Sequence, residues 1–380
     1  SGKDVEREDF VNFLSGKLVN PETGEIQNLA DNSKGDDRRA GMDFTIAPSK
    51  SVSIAGLVGK DDRVVEAHLQ ANGRAMEWLE KHGAVIRVKD ENGRNKAVQA
   101  GNLLYATVMH ETNRENEPQI HSHNVIVSAV YDESGKKWRS LTNDQMLKLR
   151  AKADVIYKAE LAEGLRRAGY ELEYAKNGVD FEIKGFTPEH LETYASRKAQ
   201  IKEALIKRGI EPGEASFDAR QAAALDSRSA KQELPRDALQ AIWQETAQQA
   251  GLKVENTVNA ARERSGYSAP EQVQSQGQTA TNEQTQQPGP TAARATTKPV
   301  REVDEKARKA GVRAVSWAIE HLTEREQSFS LAELEETAVR FSRGGINAVD
   351  WAVEQHVKNH LIVERGTDDD GVLMYTTHKA

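Results

Sequence analysis

The chain has 380 residues, 29% charged and 37% hydrophobic, with 59 acidic against 52 basic residues and a formal charge of −7. That length suits about two domains, and the absence of cysteine excludes disulfides, thiolate-held zinc, iron–sulfur clusters and a thiol nucleophile. No apolar run approaches the roughly 18 residues of a membrane span, and the opening Ser-Gly-Lys-Asp-Val-Glu-Arg-Glu-Asp-Phe has no signal-peptide core.

These features read as a soluble, cytoplasmic protein in which any metal must be held by His, Asp or Glu. No region is strongly basic, so contact with nucleic acid would rest on local patches.

Along the chain, Asp61 to His82 carries apolar residues at helical spacing and stops at Gly83. Strand-like runs at 84–89 and 96–104 flank Asp90-Glu91-Asn92-Gly93, a hairpin turn, and the second run continues through Tyr105 to His110. Glu111 to Ile120 reads as a polar connection, and Val125 to Val130 as a further strand. Asn143 to Ala168 is the longest helix, closed by Gly169. A second hairpin turns on Lys176-Asn177-Gly178. Thr187-Pro188 pairs an N-cap with proline at the first helical position and opens a helix running to Gly209. Helices near 217–228 and 235–250 follow. The pattern is α+β, a mainly antiparallel sheet with flanking helices.

Ser265 to Pro299 is rich in Gln, Thr, Ser and Pro, with too little apolar surface to offset its ordering entropy. It is expected to be a flexible linker over 265–300, separating a domain of residues 1–264 from a small module of residues 301–380. That module, three helices and then a hairpin around Asp368–Gly371, reads as a small helical, winged-helix-like unit. No Gly-x4-Gly-Lys-Ser/Thr occurs, which excludes a P-loop nucleotide site.

Three of the ten histidines fall within fourteen residues, as His110-x10-His121-x-His123. Two residues apart on a strand, His121 and His123 share a face. If the preceding strand pairs with theirs antiparallel, all three imidazoles converge. Three neutral imidazoles suit a divalent ion such as Mg, Mn or Zn with open positions, and a neutral ligand set leaves the ion's charge to act on an anion such as a phosphodiester. Arg114, in the connecting loop, could add a guanidinium to the same phosphate.

The segment from His110 to His123, with Pro118-Gln119 before the last pair, resembles the three-histidine motif of the MobF-type conjugative relaxases, which are HUH endonucleases. Gly41-Met42-Asp43-Phe44-Thr45-Ile46-Ala47-Pro48-Ser49-Lys50-Ser51-Val52-Ser53 is similar to that family's Asp-bearing strand and the Ser/Lys segment after it, with Ala-Pro displaced by one position. Ala224 to Lys231 is similar to its late basic segment.

The resemblance spans residues 1 to about 250. It implies a palm-like relaxase fold and a metal-dependent, strand-specific single-strand DNA transesterase at an origin of transfer. His110, His121 and His123 are then the metal ligands, and Asp43 is the acidic catalytic residue that orients a ligand histidine or takes a proton. Lys50, Arg114, Arg197, Arg228 and Lys231 are candidate DNA contacts, although a charged helix face is commonly just solvated.

Relaxosome accessory proteins and a type IV secretion system are implied partners, and passage into a recipient cell with the DNA is an implied destination. Arg313 to Ser330 resembles the opening of the helicase region in such proteins. The family's nucleophilic tyrosines lie in a segment ahead of the Ser-Gly with which this sequence opens, and none of the eight tyrosines here forms a pair near the start. The expectation is therefore DNA and metal binding without a phosphotyrosine intermediate. Two other readings compete: a three-histidine hydrolase or oxygenase acting on a small molecule, and a non-catalytic single-strand-binding adaptor. The first lacks the histidine–glutamate spacing of cupins, since no Glu follows His123 until Glu133.

Overall fold

The computed structural model describes residues 7–29, 39–227, 234–267, 303–342, 345–368 and 370–377. Helix α1 (Arg7–Ser15) leads into a hairpin, β1 (Lys17–Val19) and β2 (Ile26–Asn28). Strand β3 (Gly41–Ile46) buries Phe44 and Ile46 and turns Asp43 and Thr45 to the other face. Helix α2 (Lys50–Ser53) runs directly into a π-helical turn, Ile54–Val58, all five residues of which are buried. Helix α3 (Asp62–Gly83) opens on Asp61, whose carboxylate accepts from the Arg63 N–H as an N-cap.

Strands β4 (Val85–Lys89) and β5 (Asn95–Gln99) form the hairpin expected around Asn92-Gly93. The run expected to be continuous from 96 to 110 is broken. Gly101 takes φ +71°, a left-handed conformation that ends the strand, and β6 (Tyr105–Thr112) starts afresh in another sheet. Strand β7 (Pro118–Val127) begins earlier than periodicity suggests, so the β6–β7 connection shrinks to residues 113–117. A hairpin of β8 (Ala129–Asp132) and β9 (Lys137–Ser140) follows, and then α4 (Asn143–Arg167) packs along α3.

Beyond β10 (Leu172–Tyr174) and β11 (Phe181–Ile183), the single helix expected up to Gly209 is two, α5 (Pro188–Glu192) and α6 (Ser196–Lys207). The break lies where Tyr194 enters the core and donates its hydroxyl to the Trp243 carbonyl at 2.5 Å. Helices α7 (Phe217–Asp226), α8 (Arg236–Gln249) and α9 (Val254–Ser265) complete this part. The last of these escaped sequence reading because its apolar stripe is only Val254, Val258 and Ala261.

The C-terminal residues form α10 (Glu305–Thr323), β12 (Phe329–Ser330), α11 (Leu331–Ser342), α12 (Ile346–Lys358), β13 (Val363–Thr367) and β14 (Leu373–Thr376). Their strands pair in the order β12-β14-β13, a small wing beside three helices. From residue 268 onward, the expected linker lies outside the described residues.

Every strand pairing among the described residues is antiparallel, and the sheet that matters most is β3-β7-β6. One apolar cluster runs from Phe44 and Ile120 beneath that sheet, through Trp78 and Tyr157 on α3 and α4, to Val315 and Val349 of the C-terminal helices.

Candidate metal centre

The β6–β7 hairpin places His110 directly opposite His121 and Val108 opposite His123. Residues opposed in an antiparallel pair, and those two along on the same face, lie within side-chain reach. The three imidazoles accordingly meet with ring centroids 5.1–5.2 Å apart. One ligand nitrogen from each lies within 4.8 Å of the others. All three are half-buried, so the cluster opens towards solvent on one side.

Two of the rings are held from behind. His121 donates its Nδ1–H to the Gln119 carbonyl at 3.1 Å, which makes Nε2 the nitrogen that carries the lone pair. His123 Nδ1 lies 2.6 Å from Asp43 Oδ2 and 3.2 Å from Thr45 Oγ1. Strand β3 supplies both partners because Thr45 is opposite His123 in register and Asp43 is two residues along on the same face. A carboxylate bonded to one imidazole nitrogen fixes the tautomer and makes the other nitrogen more basic, as metal-ligating histidines require. The residues thus fit a divalent ion: three neutral nitrogen donors and two oriented rings.

On its opposite face, β7 is buried and polar. Ser122 Oγ bonds His68 Nε2 at 2.8 Å, and His68 Nδ1 bonds the Tyr157 hydroxyl at 2.7 Å. Burial, with the nearby His121, pushes the His68 imidazole down to about 3, so this chain of groups is neutral. Asn124 accepts from Thr107 Oγ1 at 2.7 Å and donates to the Phe44 carbonyl at 3.0 Å and to Asn72 at 2.9 Å. These partners were not found from sequence. Thr45 alone had a readable signal, lying two residues from Asp43 on the same strand face.

The serines after Ala47-Pro48 act as ties. The Ile120 N–H donates to Ser53 Oγ at 3.1 Å, anchoring the start of the histidine strand. Ser51 donates to the Glu182 carboxylate and accepts from the Ile183 N–H, anchoring β11. Lys50 points its ammonium at the Pro118 carbonyl, 3.1 Å away, and burial pulls its pKa down despite Glu117 and Glu182.

Arg114 occupies the turn between β6 and β7. Arg197 donates to the carbonyls of Ala224 and Ser227 and to Gln200, capping the end of α7. Arg228 and Lys231 lie outside the described residues. The structure therefore gathers His110, His121, His123 and Asp43, with Lys50 at the foot of β7, and places Arg197 on the α6–α7 contact.

Among the described residues, no helix is long and apolar enough to cross a membrane. Residues 1–250 match the family model described as TrwC relaxase. The Multifunctional conjugation protein TraI of Escherichia coli is 30% identical over 269 residues, and its K12-strain counterpart 29% identical. The alignment takes in 68% of this chain, which spans only 14% of the length of those curated relatives. A solved structure of TrwC complexed with a 27-mer DNA comprising the recognition hairpin and cleavage site is 34% identical, with a TM-score of 0.61, over 66% of this chain and 88% of that one. A metal-bound structure of conjugative relaxase TrwC with oriT DNA is similar to the same degree over 84% of its own chain. With residues 1–250, about two thirds of its length, matched by the family model, this chain belongs to the TrwC relaxase family of MobF-type conjugative relaxases.

Proposed function

We propose that this chain is the relaxase part of a conjugative DNA-processing protein: a divalent-metal-dependent, strand-specific transesterase acting on single-stranded DNA at an origin of transfer. The observation that carries this reading is the convergence of His110, His121 and His123, with Asp43 bonded to His123, within a TrwC relaxase fold. Relatives of that fold have been seen with origin DNA and with metal.

His110, His121 and His123 would hold one ion, with Mg, Mn and Zn as candidates. Such an ion supplies a Lewis acid for a phosphate oxygen and stabilises the charge that develops on it. The protein's own share is orientation. Asp43 and the Gln119 carbonyl hold two rings, and the uncharged donor set reserves the ion's charge for the DNA. Arg114, Lys50, Arg228 and Lys231 are proposed phosphate contacts, while Arg197 supports them by fixing the end of α7. Accessory relaxosome proteins, a type IV secretion system, a cytoplasmic site of action and passage to a recipient cell belong to the same proposal.

Calorimetry with Mn²⁺ or Zn²⁺ tests it. One ion should bind per chain, and binding should vanish when all three histidines are replaced by alanine. Equal binding by that variant would overturn the site.

A further inference from the structure

Helix α3 meets the buried face of β7 through two polar rungs. His68 and Asn72 are four residues apart on α3, and Ser122 and Asn124 are two apart on β7. Four helical residues advance about 6 Å and two strand residues about 7 Å, so the pairs match in one register only. His68 Nε2 lies 2.8 Å from Ser122 Oγ, and Asn72 and Asn124 exchange amide hydrogen bonds of 2.9 and 3.0 Å. The other nitrogen of His68 reaches the Tyr157 hydroxyl of α4 at 2.7 Å, with the two rings edge to face.

His68, Ser122 and Tyr157 are wholly buried. A neutral imidazole offers one donor and one acceptor, so His68 serves both hydroxyls at once. The rest of the buried face of α3 is mainly apolar, with Val64, Ala67, Ala71 and Ala75, and apolar packing has no direction. Stability alone does not call for the polar chain: replacing both partners of a buried hydrogen bond by apolar groups of like shape is close to neutral. Fixing a register is the best-attested use of buried polarity. What stands at this register is the metal centre. Ser122 lies between His121 and His123, so a shift or tilt of its backbone moves two of the three ligands.

We propose that His68 is a positioning residue of the metal centre. Bridged between Tyr157 and Ser122, it sets where β7 lies against α3 and α4, and so where His121 and His123 present their nitrogens. Site groups need to be held within about 0.5 Å of their working positions, by neighbours that are themselves locked. The proposal rests on the metal site proposed above.

The test uses the whole chain, with Zn²⁺ calorimetry, the visible spectrum of the Co²⁺-loaded protein and thermal melts. A triple variant, Ser122→Ala with His68→Leu and Tyr157→Phe, removes the whole polar chain and leaves none of it unpaired. It should melt close to the parent, yet bind Zn²⁺ at least about 10-fold more weakly and with a shifted Co²⁺ band. Tyr157→Phe alone removes one oxygen and should move both metal readouts the same way by less. Val349→Ala, a cavity in the buried face of α12, should lower the melting temperature and leave the metal readouts unchanged. Parent-like affinity and spectrum in the triple variant, or in Tyr157→Phe should the triple variant not fold, would overturn the proposal. So would a loss of affinity that follows melting temperature through all three variants, which would make His68 a purely structural residue. A parent chain that binds no ion overturns the metal centre and this proposal with it. A parent that binds, beside a triple variant that binds equally, overturns this proposal alone.

Discussion

Asp43 shows how much one side chain's placement decides. Strand alternation sends Phe44 and Ile46 into the core and leaves Asp43 on the histidine face, 46% exposed. From there it reaches His123 rather than the residue opposite it, Val125. A contact this exposed contributes only about 0–1 kcal/mol to folding, so the carboxylate's consequence lies in orienting the ring. Asp43→Asn should lower metal affinity roughly 10–100-fold, the usual loss for a partner of a ligating histidine. The metal-free protein should melt within a degree or two of the parent. Calorimetry and a thermal melt check this together: unchanged metal affinity with a sharply lowered melting temperature would make Asp43 a structural residue.

At the level of elements, β7 has two unlike faces, and only one of them was readable. His121 and His123, two residues apart on a strand preceded by His110, predict a shared face, and hairpin pairing brings the third ring across. Short-range patterning also gave α3, α4 and the β4–β5 turn, because each is settled by residues within a few positions. Ser122 and Asn124, which alternate with the histidines along β7, are both fully buried. What keeps them inside is a set of partners 17 to 80 residues away, on α3, β3 and β6. Sequence periodicity carries no information about such contacts, nor about Tyr194 breaking the helix expected after Thr187. Asn124 joins three strands to a helix, so Asn124→Ala would leave Asn72, Thr107 and the Phe44 carbonyl short of partners. Unpaired buried groups of this kind cost about 1–3 kcal/mol each, and for the three a total loss of at least about 3 kcal/mol is expected from denaturant unfolding. Metal affinity should fall with it as β7 loosens. A variant as stable as the parent would show that water or neighbouring groups replace the amide.

Over the whole molecule, the C-terminal residues are docked on α3 through a buried carboxylate of α11. Glu335 is fully buried and accepts from Trp78 Nε1 at 2.8 Å, Lys81 Nζ at 2.7 Å and His82 Nε2 at 2.7 Å. Burial alone would raise its pKa, but His82 and Lys81 outweigh that and hold it at about 2. Nearby Asp350 fares the other way. Burial and the charge of Glu335 lift it to about 6, its Oδ1 buried without a hydrogen-bond partner and Lys81 at 3.6 Å. The two acids act on stability in opposite senses. Glu335, lowered from an ordinary value of about 4.3, stabilises above that pH, and its contribution is lost as pH falls towards 2. Asp350, raised from about 3.9, contributes fully below that value, and the contribution is lost as pH rises through 6. Docking should therefore be firmest near pH 4. Melting temperatures measured from pH 3 to 8 should fall on both sides. Asp350→Asn should flatten the limb between pH 4 and 6 relative to the parent. Glu335→Gln should lower stability by about 3–5 kcal/mol at neutral pH, the cost of breaking one side of a buried pair, and should flatten the acidic limb. If Asp350→Asn retains the parent's slope between pH 4 and 6, the pH response arises elsewhere and the Glu335–Asp350 contact is only a fixed join.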